Sequence, residues 1–112
     1  MKKQNSVLLP AEVEQILLQL GHNIRTARLR RKMRLADLAE RVGVSRYTMS
    51  HVEQGKSSAS ISAYVGALWV LGLADELYSV ADPDHDTEGQ ILEHTRSPKT
   101  AAKRKKVLDN DF

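Results

Sequence analysis

The stretch LADLAERVGVSRYTMSHVEQG, residues 35–55, decides the fold. Leu35, Leu38, Ala39 and Val42 fall at i, i+3, i+4 and i+7, the spacing of one apolar helix face, and Gly43 ends that helix. A second short helix opens at Ser45, whose hydroxyl can cap backbone amides, and runs to about Gln54 before Gly55 stops it. At about 100° per residue, Thr48, Met49, Val52 and Glu53 share one side of this helix. Arg46, Tyr47, Ser50, His51 and Gln54 share the other. The first side can brace against a core, and the second is polar and rich in donors.

N-terminal to this pair, Pro10 and the acids Glu12 and Glu14 suit the start of a helix. Val13, Ile16/Leu17, Leu20, Ile24 and Ala27 then recur in steps of three and four, which predicts one long amphipathic helix or two joined near Gly21. C-terminal to the pair, Ser60 can cap a fourth helix over residues 61–71, with a core face of Ile61, Tyr64, Val65, Leu68 and Leu71. Trp69 and Val70 fall outside that stripe, so this helix has apolar surface to spare. Gly72 ends it, and residues 74–80 predict a short fifth helix adding Leu77 and Val80. Residues 82–89 are acidic and turn-like, a short helical segment is possible around Ile91 and Leu92, and residues 96–112 form a basic tail expected to be flexible. The expectation is an all-α, five-helix domain over residues 11–80, followed by an acidic linker and basic tail over 81–112.

Composition narrows the function. At 112 residues the chain has room for one core. It has no cysteine, hence no disulfide framework or thiolate site, and no apolar run reaches the ~18 residues a membrane span needs. The expected location is therefore cytoplasmic, at the nucleoid. Charge is segregated: residues 22–56 carry nine Lys/Arg against three Asp/Glu, whereas residues 57–95 carry seven acids and no Lys or Arg. A basic block within the folded part points to a polyanion. The low aromatic content, 4%, argues against base-stacking platforms for single strands.

Double-stranded DNA fits these features. A major groove admits one α-helix whose exposed side chains reach base edges, provided a second helix braces it. Arg46 can donate bidentately to guanine, Ser50 can pair with any base, His51 can donate or accept, and Tyr47 can meet a thymine methyl or a phosphate. Arg34, Ser45, Lys56, Ser57 and Ser58 carry the charge, hydroxyls and amides that meet the sugar-phosphate backbone.

Residues from about Leu20 to Leu77 resemble the lambda-repressor-like, Xre-type helix-turn-helix family. LGHNIRTARLRRKM is similar to its first helix, LAERVGVS to its second helix and turn, and SRYTMSHVEQG to its recognition helix with the Glu-x-Gly ending. The resemblance implies that Arg28 pairs with Glu53, tying the first helix to the third. Two departures stand out. Arg34 and Leu35 replace the usual Ser/Thr cap and phosphate-binding Gln of the second helix, and Lys32 replaces the glycine of the preceding turn. Within the family, the spare apolar surface on the fourth helix, the short fifth helix and the charged tail resemble HipB-like antitoxins. That implies a homodimer, contacting its partner through Trp69, Val70 and Leu77, that represses its own palindromic operator and neutralises a HipA-like Ser/Thr kinase toxin. A stand-alone phage or metabolic regulator, and a protein-interaction module that has lost DNA reading, are the alternatives.

Other signals carry little. Asp82, Asp84, Asp86 and Glu93 have the spacing of a calcium loop, but Thr87 stands where that loop needs glycine. His22, His51, His85 and His94 lack metal-ligand spacing, and no Ser is paired with a base, so no cofactor, metal or catalytic residue is expected.

Overall fold

The computed structural model describes residues 8–96. The basic segment 97–112, expected to be a flexible tail, lies outside them. Among the described residues there are helices and no strands: α1 is Ala11–Arg30, α2 Leu35–Val42, α3 Arg46–Glu53, α4 Ile61–Val70 and α5 Thr87–Arg96. Two 3-10 segments, Ala74–Ser79 and Pro83–His85, lie between α4 and α5. The chain divides into two compact units, the first ending at Asp75 and the second beginning at Glu76.

The core belongs to the first unit. Ile24 of α1, Leu38 of α2 and Met49 and Val52 of α3 are fully buried, joined by Ala63, Tyr64, Ala67, Leu68 and Leu71 of α4 and its end. Burying each such aliphatic side chain stabilises the fold by about 1.5–3 kcal/mol, which is why two helices of eight residues persist here although they would not in isolation.

One finding decides between two sequence expectations, and two others each correct one. α1 is one continuous helix, and Gly21 is not a joint but a contact: a Cβ there would lie 2.5 Å from the Val52 carbonyl oxygen. The buried face of α4 is centred on Ala63 and Ala67, turned by about 60° from the expected stripe, so that Ile61 is 76% exposed. The cause is close approach. α4 reaches α2 through Gly66, whose missing Cβ would fall 2.8 Å from a Val42 methyl, so small residues face the core where bulky ones were expected. The segment after Gly72 is a 3-10 helix, and its Leu73 and Ala74 rest on the core.

The apolar stripe of α1 also runs past its core, leaving Ile16 61% exposed.

Helices α1 to α4 end alike. An amide two or three residues beyond each end returns to a carbonyl five residues back: Met33 to Arg28, Val44 to Ala39, Lys56 to His51 and Leu73 to Leu68. This ending needs a left-handed residue, supplied by Gly43, Gly55 and Gly72 in three cases and by Lys32, at φ 53°, in the first. A Cβ in that conformation costs about 1–2 kcal/mol, and glycine's unfolded-state entropy returns about half of it. Lys32→Gly is therefore expected to stabilise the protein by about 0.5–1 kcal/mol, read as a higher urea midpoint at unchanged slope.

The second unit has no buried residue among those described. Its acids act as caps. Asp82 accepts the Asp84 amide at 3.0 Å and Asp86 accepts the Gly89 amide at 3.0 Å, starting the 3-10 turn and α5 respectively. The turn-like reading of 82–89 is thus replaced by two short helical starts.

Candidate nucleic-acid interface

α2 and α3 meet across Gly43, Val44 and Ser45. Ser45 caps α3 by accepting the Thr48 amide at 3.0 Å, and its hydroxyl lies 3.1 Å from the Thr48 hydroxyl. The cap uses Ser45 as an acceptor, so its hydroxyl proton can turn from Thr48 to a phosphate oxygen without breaking the cap. Met49 and Val52 fix the inner side of α3 in the core.

Glu53 completes that inner side. Its carboxylate accepts from Arg28 Nε at 2.6 Å and from Arg28 Nη2 at 2.9 Å, a bidentate pair whose side chains are only 9% and 7% exposed. Arg28 Nη1 also donates to the Met33 carbonyl at 2.9 Å, so one guanidinium ties α1, the turn before α2 and α3. Its hydrogen bond to Glu53 raises the Arg28 pKa despite the opposing effect of burial, so the group stays charged.

The far end of α3 is held by two glycines. Gly21 lies against the Val52 and Glu53 carbonyls, and Gly55 lies where a Cβ would meet the Leu17 carbonyl oxygen at 2.5 Å. α1 and the end of α3 are therefore in backbone contact. The loop that follows is anchored by the Tyr64 hydroxyl, which donates to the Lys56 carbonyl at 2.8 Å, and burial pushes the Tyr64 phenol above its ordinary pKa. Lys56, Ser57 and Ser58 are exposed on this loop, and with Gln54, Leu17 and Leu18 they line an open groove of about 410 Å³.

The outer side of α3 carries the expected readers. Arg46 is exposed, and Tyr47 is 72% exposed with its ring 4.2 Å from that of His51, centroid to centroid, at a tilt of 54°. Ser50 accepts from Gln54 Nε2 at 2.8 Å. The structure thus groups Tyr47 with His51, Ser50 with Gln54, and Gln54 with residues 56–58.

At the start of α2, Arg34 cannot cap through its side chain, since a guanidinium has no acceptor. The other half of a capping box does the work: Asp37, three residues on, accepts the Arg34 backbone amide and Arg34 Nε, both at 3.3 Å. Those hydrogen bonds, side chain first, lower the Asp37 pKa. Leu35, which offers DNA nothing, packs partly against the core. The Arg34-x-x-Asp37 spacing was the available signal for this cap. Gln54 was placed on the outer side of α3 without a role, although it stands at i+4 from Ser50, and the Tyr64 hydroxyl was missed.

A family model described as a helix-turn-helix domain matches residues 19–79, just over half of the chain. The chain belongs to this helix-turn-helix family, of the lambda-repressor type. No curated protein and no solved structure matches it. In this helix-turn-helix protein α2 and α3 are two helices of the matched domain, and the family indicates a DNA-binding regulator. Residues 11–18 of α1 precede the matched domain.

The surface suggested for a protein partner is uneven. Trp69 is 70% exposed and Leu77 is exposed, whereas Val70 is half-buried against the core. No helix among the described residues is long and apolar enough to cross a membrane, and no cluster of metal-ligand side chains occurs among them.

Proposed function

We propose that the chain is a sequence-specific double-stranded-DNA-binding transcriptional repressor that acts as a homodimer on a palindromic operator. The observation that supports this best is the division of α3: Met49, Val52 and Glu53 fix one side in the core, while on the other side Arg46 and Tyr47 are exposed and Ser50 and His51 half-buried. Base readout falls to those four residues. Arg34, Lys56, Ser57 and Ser58 meet phosphates, and Ser45 presents the N-terminus of α3 to the backbone. The place of action is the cytoplasm, at the nucleoid.

The finer reading is that of a HipB-like antitoxin, which represses its own operon and neutralises a HipA-like Ser/Thr kinase toxin. It rests on the resemblance of residues 20–77 and on the outer face of α4, where Ile61 and Trp69 leave apolar surface on a DNA-binding unit. A stand-alone regulator would use the same surface for dimerisation alone, and co-purification with a kinase encoded next to the gene separates the two.

A mobility-shift assay on the protein's own promoter tests the central claim. Arg46→Ala is expected to lose about 1–3 kcal/mol of specific binding, roughly five- to 150-fold, with unchanged far-UV circular dichroism. The full palindrome is expected to bind more tightly than one half-site. Equal binding of wild type and variant to promoter and unrelated DNA would favour the protein-interaction module instead.

A further inference from the structure

The hydrogen bond between Gln54 and Ser50 has a consequence for which bases are read. A serine hydroxyl has one proton to give and lone pairs to receive. Here one lone pair receives from the Gln54 side-chain amide at 2.8 Å, which leaves the proton to give outward and halves the capacity to accept. Both residues lie on the outer side of α3, one turn apart, with Gln54 exposed and Ser50 half-buried, and Arg46 lies one turn before Ser50 on that side. Arg46 also only donates. The one acid of α3, Glu53, is turned inward and held by Arg28, so no carboxylate on this helix is free to accept from a cytosine amino group.

We infer that Gln54 is a positioning residue that sets Ser50 as a hydrogen-bond donor, so that the base met by Ser50 is a keto base, guanine or thymine, next to a guanine met by Arg46. This rests on the proposal that α3 reads the major groove. The keto oxygens, guanine O6 and thymine O4, are the acceptors that distinguish these bases there from adenine and cytosine, which show amino donors at the same place.

The substitution Gln54→Glu reverses the polarity. A carboxylate can only accept, so the Ser50 proton turns toward it and the serine lone pairs face the groove, which favours an amino base. Gln54→Ala removes the bias altogether. The added charge of Gln54→Glu weakens binding to all sequences alike and leaves the preference readable.

The test is selection from a random duplex pool with the full chain and both variants, followed by titration of the enriched site carrying each base at the Ser50 position. Wild type is expected to prefer guanine or thymine by about fivefold or more. Gln54→Glu is expected to prefer adenine or cytosine, and Gln54→Ala to show a reduced preference. The same preferred base in all three proteins would overturn the role of Gln54. A wild-type preference for an amino base would overturn the inference while leaving DNA reading intact. No enriched sequence at all would overturn both.

Discussion

Arg28→Ala is expected to lower the unfolding free energy by about 3–5 kcal/mol, because removing one partner of a buried ion pair leaves the other charge without compensation. Three losses coincide in this variant. The Glu53 carboxylate loses both of its bonds to the guanidinium, the Met33 carbonyl loses its donor, and the space of the arginine stem is left unfilled between α1 and α3. Against a total stability of about 5–15 kcal/mol for a domain of this size, that loss is a large fraction of the whole. Urea unfolding followed by circular dichroism reads the effect. The double replacement Arg28→Met with Glu53→Leu distinguishes a charge effect from a packing effect, since apolar substitutes for a buried pair often restore stability. If Arg28→Ala alone cost under about 1 kcal/mol, the pair would be behaving as a solvated surface bridge. Because Glu53 sits one residue before Gln54, whatever loosens this pair also loosens the reading face, so operator affinity is expected to fall further than stability alone explains.

The sequence shows some of these features openly and hides others, for physical reasons. Apolar periodicity located α1, α2 and the inner side of α3, because in those helices bulky side chains make the core. It misplaced the face of α4, where Ala63 and Ala67 are buried, Gly66 lies against Val42, and hydropathy ranks all three below Ile61. The two sides of α3 were legible because a short capped helix divides cleanly, with Met49 and Val52 inward and Arg46 and Tyr47 outward. The Asp37 cap was obscured by the unusual Arg34 before it. The hydrogen bonds from Gln54 to Ser50 and from Tyr64 to the Lys56 carbonyl depend on rotamers and loop paths, which composition and spacing do not encode.

Gly21 brings this to its sharpest test, because sequence and structure predict opposite signs. A glycine inside a twenty-residue helix costs about 1 kcal/mol relative to alanine, so by propensity alone Gly21→Ala should stabilise the protein by that amount. The structure predicts the reverse. A Cβ at this position would stand 2.5 Å from the Val52 carbonyl oxygen, 2.7 Å from that of Glu53 and 2.7 Å from the Gly55 amide nitrogen. All three are backbone atoms, so no side-chain rotation relieves the clash and α1 must move away from α3. Overpacking of this kind costs about 1–3 kcal/mol and sometimes more, which exceeds the gain in propensity. Gly21→Ala is therefore expected to be net destabilising in urea, whereas Gln19→Ala, two residues earlier on the exposed side of α1, should change stability by less than about 0.5 kcal/mol. A stabilised Gly21→Ala would mean that α1 does not lie in backbone contact with the end of α3. The contact matters for function through its position. Val52 and Glu53 form the last turn of α3, so moving α1 outward shifts the Arg28–Glu53 pair and, with it, the angle at which Arg46 and Ser50 meet a groove.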